Sequence, residues 1–294
     1  DEEGDPVWFN LYAPNQEEGY ARPVDIFRTG AVYTAIFNYD IFEMDLVRES
    51  NLLIQKFDLL GELEAGTQFR HPGDIVFNVN AAAVESFGTM AIVGRLWSDN
   101  ETRIDGFYLT VTNTTMETFV TFPYQQDDEI LNVAVDKAAG GFFLGGYLNV
   151  ENNMGFLVQR PLIAHMGTNG ITFWANFIPH QIARLAHTPT DELYILSYTR
   201  EEVSENSLDD IRITRATGKG DPVDNMIIDY SSEWGIGQGE LVNHLTIQGD
   251  DQLLMTGRSF PGFMNEDGFV EITRLTPNSP CADLYSTDVE SWTN

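Results

Sequence analysis

Five times in its 294 residues, this chain runs through the same short cycle of strand-like segments. In the third cycle, an alternating apolar segment at 130–135 is followed by segments at 141–147, 155–158 and 171–177. The second cycle has the same order, at 75–79, 90–96, 105–109 and 116–122. Cycles that start near residues 24, 75, 130, 182 and 241 give a repeat of about 50 residues. Such a repeat predicts an array of four-stranded β-sheets.

The remaining cycles decide how the array ends. The first is predicted at 24–27, 31–37, 42–47 and 52–57, and the fourth at 182–185, 193–198, 211–213 and 226–230. The fifth has segments at 241–247, 253–258 and 267–272, with no obvious fourth strand. Residues 7–14 could supply that strand, because Trp8 and Asn10 match Trp174 and Asn176 of the third cycle. Closing the ring in this way would remove exposed sheet edges.

We therefore predict an all-β fold, a five-bladed β-propeller of four-stranded blades whose N-terminal strand completes the last blade. As one domain over 1–294, its blades are expected at 24–60, 75–123, 130–179, 182–231, and 241–285 plus 7–14. Two alternatives stay open. Residues 282–285 could supply the last strand, or the chain could be a fragment of a six- or seven-bladed protein.

Composition limits the partners of such a scaffold. The formal net charge of −29 comes from 45 acidic and 16 basic residues. That charge repels phosphate backbones and anionic lipid, so we expect no nucleic-acid partner. No apolar run approaches the length of a membrane span. The single cysteine, Cys281, excludes an internal disulfide framework and a cysteine-based zinc site.

The sequence also carries hints of secretion. It begins at Asp1 without a methionine, as a mature protein with its signal peptide removed would. Two N-x-S/T sequons, at Asn100 and Asn113, fall in or beside predicted turns and predict glycosylation. We therefore expect a secreted or cell-surface glycoprotein.

Small residues recur inside the second strands, where strands near a propeller axis crowd together: Gly94, Gly145, Ser197 and Gly257. A Gly-bearing second strand precedes an Asp-Gly-Phe or Gly-Phe third strand, at 93–95 with 105–107 and at 256–258 with 267–269. This pattern resembles the delta-60 and SBBP type of propeller repeats. The third cycle adds 144–146, 155–156 and Trp174, whereas the first and fourth cycles depart from the pattern. The resemblance implies a secreted or surface-attached propeller with no common catalytic activity.

Catalytic signatures are scarce. The five histidines lie in different cycles, no Gly-x-Ser-x-Gly elbow occurs, and surface or loop positions are expected for the histidines. A glycoside hydrolase is the enzymatic alternative, since it needs a pair of carboxylates at roughly 5 to 10 Å. Its candidates at the starts of first strands are Asp25, Asp74, Glu129 and Glu240. No cofactor is expected; calcium is possible, although no Asp-x-Asp-x-Asp-Gly loop supports it.

Ligand binding without catalysis is the main prediction. Arg95 and Arg258 occupy matching positions after the second-strand glycines and could hold an anion, and Trp97 and Trp234 lie where loops begin. These residue types suit sugar recognition. We expect a non-catalytic extracellular module for structure or recognition, with a protein or glycan partner and possible self-assembly.

Overall fold

A computed structural model describes residues 19–43, 46–70, 75–85, 88–98, 101–113, 115–122, 127–180, 182–199, 210–228, 240–248, 252–259, 267–274 and 284–286. Every regular element within these ranges is a β-strand. The described residues contain no helix long and apolar enough to cross a membrane. The chain divides into two compact units, Asp1–Ile130 with Thr168–Gly170, and Leu131–Gly167 with Ile171–Asn294.

The first two sheets are antiparallel and are built from consecutive strands. The first has the order β1 (Gly19–Thr29), β2 (Val32–Glu43), β3 (Leu46–Phe57), β4 (Leu63–Phe69). The second has the order β5 (Ile75–Val84), β6 (Thr89–Ser98), β7 (Glu101–Thr112), β8 (Thr115–Phe122). Apolar side chains from both sheets form one buried core that includes Ile36, Leu52, Ile54, Phe77 and Phe107.

The third sheet is formed in the same way, by β9 (Glu129–Val135), β10 (Phe142–Glu151), β11 (Leu157–Met166) and β12 (Thr172–Phe177). The fifth sheet has three described strands, β17 (Glu240–Gln248), β18 (Gln252–Ser259) and β19 (Asp267–Arg274). The predicted completion of this sheet by residues 7–14 lies outside the described residues.

The fourth sheet has a different ending. It contains β13 (Ile182–His187), β14 (Glu192–Thr199), β15 (Asp210–Thr217) and β16 (Pro222–Ile228), with β20 (Leu284–Ser286) as a fifth strand. Because Ile228 pairs with Leu284 and Met226 with Ser286, the segment after the fifth sheet returns to the fourth sheet. The alternative in which residues 282–285 complete the fifth sheet is therefore wrong.

The described sheets confirm the predicted fold class: an all-β chain of repeated four-stranded antiparallel sheets, the blade unit of a β-propeller. The predicted strands of the second to fifth cycles overlap the observed ones. The least accurate is the third strand of the third cycle, which is predicted at 155–158 and is observed as β11 (Leu157–Met166). The predictions for the first cycle are wrong in its second half. Of the predicted strand at 42–47, the described residues 42–43 end β2 and 46–47 begin β3, and the fourth strand of the sheet is β4.

A β-bulge recurs in the first strands. In the first, second, fourth and fifth sheets, the pairing between the first and second strands skips one residue of the first strand. The skipped residue lies between Pro23 and Asp25, Val79 and Ala81, Ile182 and Arg184, and Val242 and His244, respectively. A bulge bends its strand and releases one residue from the ladder. The repeat seen in the sequence is thus also a repeat of backbone geometry.

Candidate functional site

Two residues singled out from the sequence, Arg95 and Glu129, lie together in the first unit. Arg95 is in β6 and Glu129 is the first residue of β9. Nη1 of Arg95 is 3.5 Å from Oε2 of Glu129, and the side chains are 40% and 11% exposed, respectively. The pair therefore combines a covered carboxylate with a guanidinium that is partly open to solvent.

Asn80 binds the other oxygen of the same carboxylate. Its Nδ2 donates to Oε1 of Glu129 at 2.8 Å and to the backbone carbonyl of Ile130 at 2.9 Å. Asn80 is the residue that the β5 bulge releases, because the β5–β6 register passes from Val79 directly to Ala81. The bulge thus supplies the amide that anchors Glu129, and the two carboxylate oxygens face different donors.

Asn78 extends the arrangement toward β1. It lies directly opposite Arg95 across the β5–β6 ladder, and such cross-strand neighbours lie side by side on one face. Its Oδ1 accepts a hydrogen bond from Nη2 of Arg22 at 2.7 Å. Arg22 is exposed. We call the five residues Arg22, Asn78, Asn80, Arg95 and Glu129 the polar seat.

Trp97 lies beside the polar seat. On the β5 side of β6, Trp97 pairs with Val76 and Arg95 with Asn78, which places both on the same face, although the β6–β7 register skips Trp97. The indole is 38% exposed. An aromatic ring that is only partly covered, next to convergent polar groups, is typical of small-molecule and saccharide sites.

The opposite face of these strands is apolar and explains why the polar seat is held firmly. Phe77, Val79 and Leu96 belong to the buried core of the first unit. A Cβ on Gly94 would overlap the backbone carbonyl of Asn78 and lie 2.9 Å from the ring of Phe107. The predicted packing role of the second-strand glycine is confirmed at this position, where strands approach too closely for a side chain.

The other predicted site residues are placed as follows. Asp25, in β1, is half-buried and accepts a hydrogen bond from the backbone N–H of Ile26 at 2.8 Å. Asn113 is exposed with φ +60° at the turn after β7, where an asparagine tolerates the left-handed conformation. Outside the described residues lie Asp74, Asn100, Trp234 and Cys281, together with the side chains of Glu240 and Arg258.

A second polar group, which the sequence did not predict, lies in the second unit. We call it the histidine cluster: Asp136, His165, His187 and Asp191. Nε2 of His165 is 3.1 Å from Oδ2 of Asp136, and Nδ1 of His187 is 3.7 Å from Oδ1. Both histidines are buried, so their expected surface or loop location is wrong. The Phe143 ring lies 4.6 Å from the ring of His165 and 4.8 Å from that of His187.

Backbone groups fix the histidine cluster. The N–H groups of Ala138 and Ala139 donate to Oδ1 of Asp136 at 2.8 and 2.9 Å. The backbone N–H of Lys137 donates to Nδ1 of His187 at 3.0 Å, which assigns the proton of the neutral ring to Nε2, 3.4 Å from Oδ1 of Asp191. Asp136, His187 and Asp191 are close enough to surround a cation, but this tautomer leaves neither ring nitrogen of His187 free to bind one.

Burial lowers the pKa of His187 below its usual 6.5, and the carboxylates of Asp136 and Asp191 oppose part of that shift. The cluster is therefore arranged to hold a neutral imidazole inside the protein. Its buried position fits a role in structure, whereas the polar seat is the group that a ligand can reach.

No family model and no curated protein matches the chain. Solved structures do resemble it. An acylaminoacyl peptidase from Pyrococcus horikoshii is 8% identical, with a TM-score of 0.44 over 88% of this chain and 46% of the peptidase, so the chain spans less than half of that protein. A GH43_1 enzyme from Xanthomonas citri is 9% identical, with a TM-score of 0.42 over 82% of each chain.

A third similar structure is CoXyl43, a GH43 β-xylosidase/α-arabinofuranosidase from a compost microbial metagenome, in complex with xylotriose. It is 10% identical, with a TM-score of 0.41 over 92% of this chain and 94% of that one. The narrower resemblance to delta-60 and SBBP repeats stays a prediction.

Proposed function

We propose that this β-propeller binds a carbohydrate at the polar seat, with Trp97 as the surface on which a sugar ring packs. The observation that carries the proposal is the Arg95–Glu129 pair beside a partly exposed indole. Sugar hydroxyls both donate and accept hydrogen bonds. The seat offers guanidinium and amide donors together with a carboxylate acceptor, which matches that chemistry.

The packing of the seat also favours recognition. Asn80 and Glu129 are tied to each other and to the backbone of β9, so little side-chain entropy remains to be lost when a ligand binds. Trp97 contributes a rigid apolar ring for the C–H face of a sugar. A secreted or cell-surface location, and glycosylation at Asn100 and Asn113, belong to this proposal as the setting in which such binding would be used.

Glycoside hydrolysis is the second candidate function. Glu129 favours it, because this carboxylate is covered and its two oxygens face separate donors, as a base or nucleophile needs. The reaction requires a second carboxylic acid at roughly 5 to 10 Å. Asp25, in β1 of the same unit, is the described candidate for that role.

Binding is tested on a glycan array, followed by calorimetry on the sugars that bind. Trp97→Ala should weaken binding about tenfold, equivalent to about 1.4 kcal/mol. Phe173→Ala is the matched control, since Phe173 is an exposed aromatic residue on β12, in the other unit, and its removal should leave affinity unchanged. A wild-type chain that binds no sugar, or a Trp97→Ala variant with full affinity, would refute the proposal.

Hydrolysis is tested with a panel of aryl glycosides and by the release of reducing ends from any oligosaccharide that binds. If the chain is a hydrolase, Glu129→Gln should abolish turnover and leave measurable binding. Binding without turnover in the wild-type chain would instead establish the recognition role and reject the catalytic one.

A further inference from the structure

Unlike the chain as a whole, the polar seat has more basic than acidic side chains. Acidic residues outnumber basic ones 45 to 16 over the whole sequence. In the seat, two arginines, Arg22 and Arg95, accompany a single carboxylate, that of Glu129. Within these five residues, arginines outnumber carboxylates two to one, on a chain whose net charge is −29.

Arg22 carries most of that excess. Within the described part of the chain, its guanidinium makes one hydrogen bond, from Nη2 to the amide oxygen of Asn78, and no ion pair. A guanidinium has five N–H donors in a planar fork. Most of the donors of this exposed side chain are thus directed to solvent or to a ligand.

Arg95 is the second available cation. Its contact with Glu129, at 3.5 Å, is loose for a charge-assisted hydrogen bond, and 40% of its side chain is exposed. Asn78 lies directly opposite Arg95 and is bound by Arg22, so this one asparagine brings both guanidinium groups to the same patch. Trp97 borders that patch on β6.

We infer that the saccharide bound at the polar seat is acidic, with a uronic-acid carboxylate bound by Arg22 and Arg95 and its sugar ring packed on Trp97. The inference rests on the proposed function. A carboxylate is planar and accepts two parallel N–H bonds from a guanidinium, which a neutral hydroxymethyl group cannot do. The net charge of −29 disfavours a long polyanion, so we infer a short oligosaccharide as the ligand.

The test compares an oligogalacturonide with its carboxyl-reduced, neutral counterpart by calorimetry at low ionic strength. The wild-type chain should bind the acidic form about tenfold more tightly, and added salt should erode that preference. Arg22→Gln should bring the two affinities within about threefold of each other, because the affinity for the acidic form falls by more than the affinity for the neutral form. Arg22→Lys, which keeps the charge but loses the fork, should retain part of the preference.

Arg28→Gln is the matched control. Arg28 is exposed on the same strand, but its Nε donates to the carbonyl of Gly30 and its guanidinium lies over the ring of Tyr33, so the preference should be unchanged. Equal wild-type affinity for acidic and neutral sugars would overturn the inference and leave carbohydrate binding intact. A preference that survives Arg22→Gln, or tighter binding of a sulfated oligosaccharide, would overturn the assignment to a carboxylate at Arg22. Absence of any sugar binding would overturn both proposals.

Discussion

At the scale of single residues, His187 links folding to pH. The folded chain holds it neutral, with Nδ1 accepting from Lys137 and Nε2 facing Asp191. Burial lowers its pKa, an effect that the positive charge of Lys137 reinforces and that Asp136 and Asp191 oppose. Protonation would turn Nδ1 from an acceptor into a donor and would break the hydrogen bond from Lys137.

We therefore predict that the chain loses stability as the pH falls below 6.5. The unfolded chain binds a proton near 6.5, whereas folded His187 does so only at lower pH, so the unfolded state carries more protons in that interval. His187 alone should lower the free energy of unfolding by up to about 1.4 kcal/mol per pH unit, between pH 6.5 and the lower pKa of the folded state. Urea unfolding followed from pH 8 to pH 5 measures it.

His187→Gln provides the comparison for that prediction. Its amide oxygen can accept from Lys137 and does not titrate, so the loss of stability between pH 6.5 and the lower folded pKa should be smaller by the His187 contribution. Asp191→Asn should have the opposite effect, because it removes a charge that favours the protonated ring. Equal slopes for the wild type and His187→Gln would show that other groups cause the acid sensitivity.

The sequence did not predict that Arg95 and Glu129 are neighbours. Arg95 and Glu129 were singled out for separate reasons, one from its repeat position and one from its place at a strand start. Their contact joins β6 to β9, and nothing local in the sequence encodes a distance between strands of different sheets. Asn80 was missed, although one feature of the sequence pointed to it. β5 is apolar apart from its asparagines, and an asparagine that is covered by protein needs a hydrogen-bond partner.

At the scale of the element, β6 illustrates how the fold limits substitution. We predict that Gly94→Ala destabilises the first unit by about 2 to 3 kcal/mol, because the new methyl group would overlap the Asn78 carbonyl and contact the Phe107 ring. Thermal and urea unfolding of the variant measure the loss. Ligand affinity should fall as well, since Asn78 belongs to the polar seat.

Gly66→Ala is the matched control for that variant. Gly66 lies in the interior of β4, and a Cβ there would meet nothing closer than 3.8 Å. The substitution should leave stability within about 0.5 kcal/mol of the wild type or raise it slightly. Equal stability of Gly94→Ala and the wild type would contradict the close approach of the strands.

The errors in the first cycle have a physical cause at this scale. β2 and β3 are 12 residues each, longer than the strands assumed from the repeat, and polar positions such as Asn38, Ser50 and Asn51 look like breaks in the pattern. These side chains are buried in the structure. β4 was missed for the opposite reason, because it is exposed along most of its length and has little apolar alternation.

At the scale of the whole molecule, the repeat could be predicted because β1 to β19 form their sheets in chain order, so the periodicity of the sequence defines the sheets. The return of β20 to the fourth sheet could not be predicted from the sequence. That strand is three residues long and follows the fifth sheet, and a short sequence of this kind has no periodicity that selects one partner over another.

Truncation tests this return. A chain that ends after Ala282 lacks β20, so we predict faster hydrogen exchange at the amides of β16 that face it, within 226–228, and unchanged exchange in β17 and β18. A chain that ends after Thr287 keeps the strand and serves as the control. Unchanged protection of β16 in the shorter chain would contradict the pairing.

Because of this pairing, the fourth sheet is not completed in the order in which its neighbours along the chain are synthesised. The first three sheets can each form once their own strands have been made, because those strands follow one another along the chain. The fourth sheet cannot be completed in this way, since Leu284 of its last strand is made well after its partner Ile228. At ~5–20 residues per second, a ribosome would leave the edge of β16 waiting for roughly 3 to 11 s. During that interval the edge of β16 is open to strands from neighbouring nascent chains, so slow completion of this sheet carries a risk of pairing between chains.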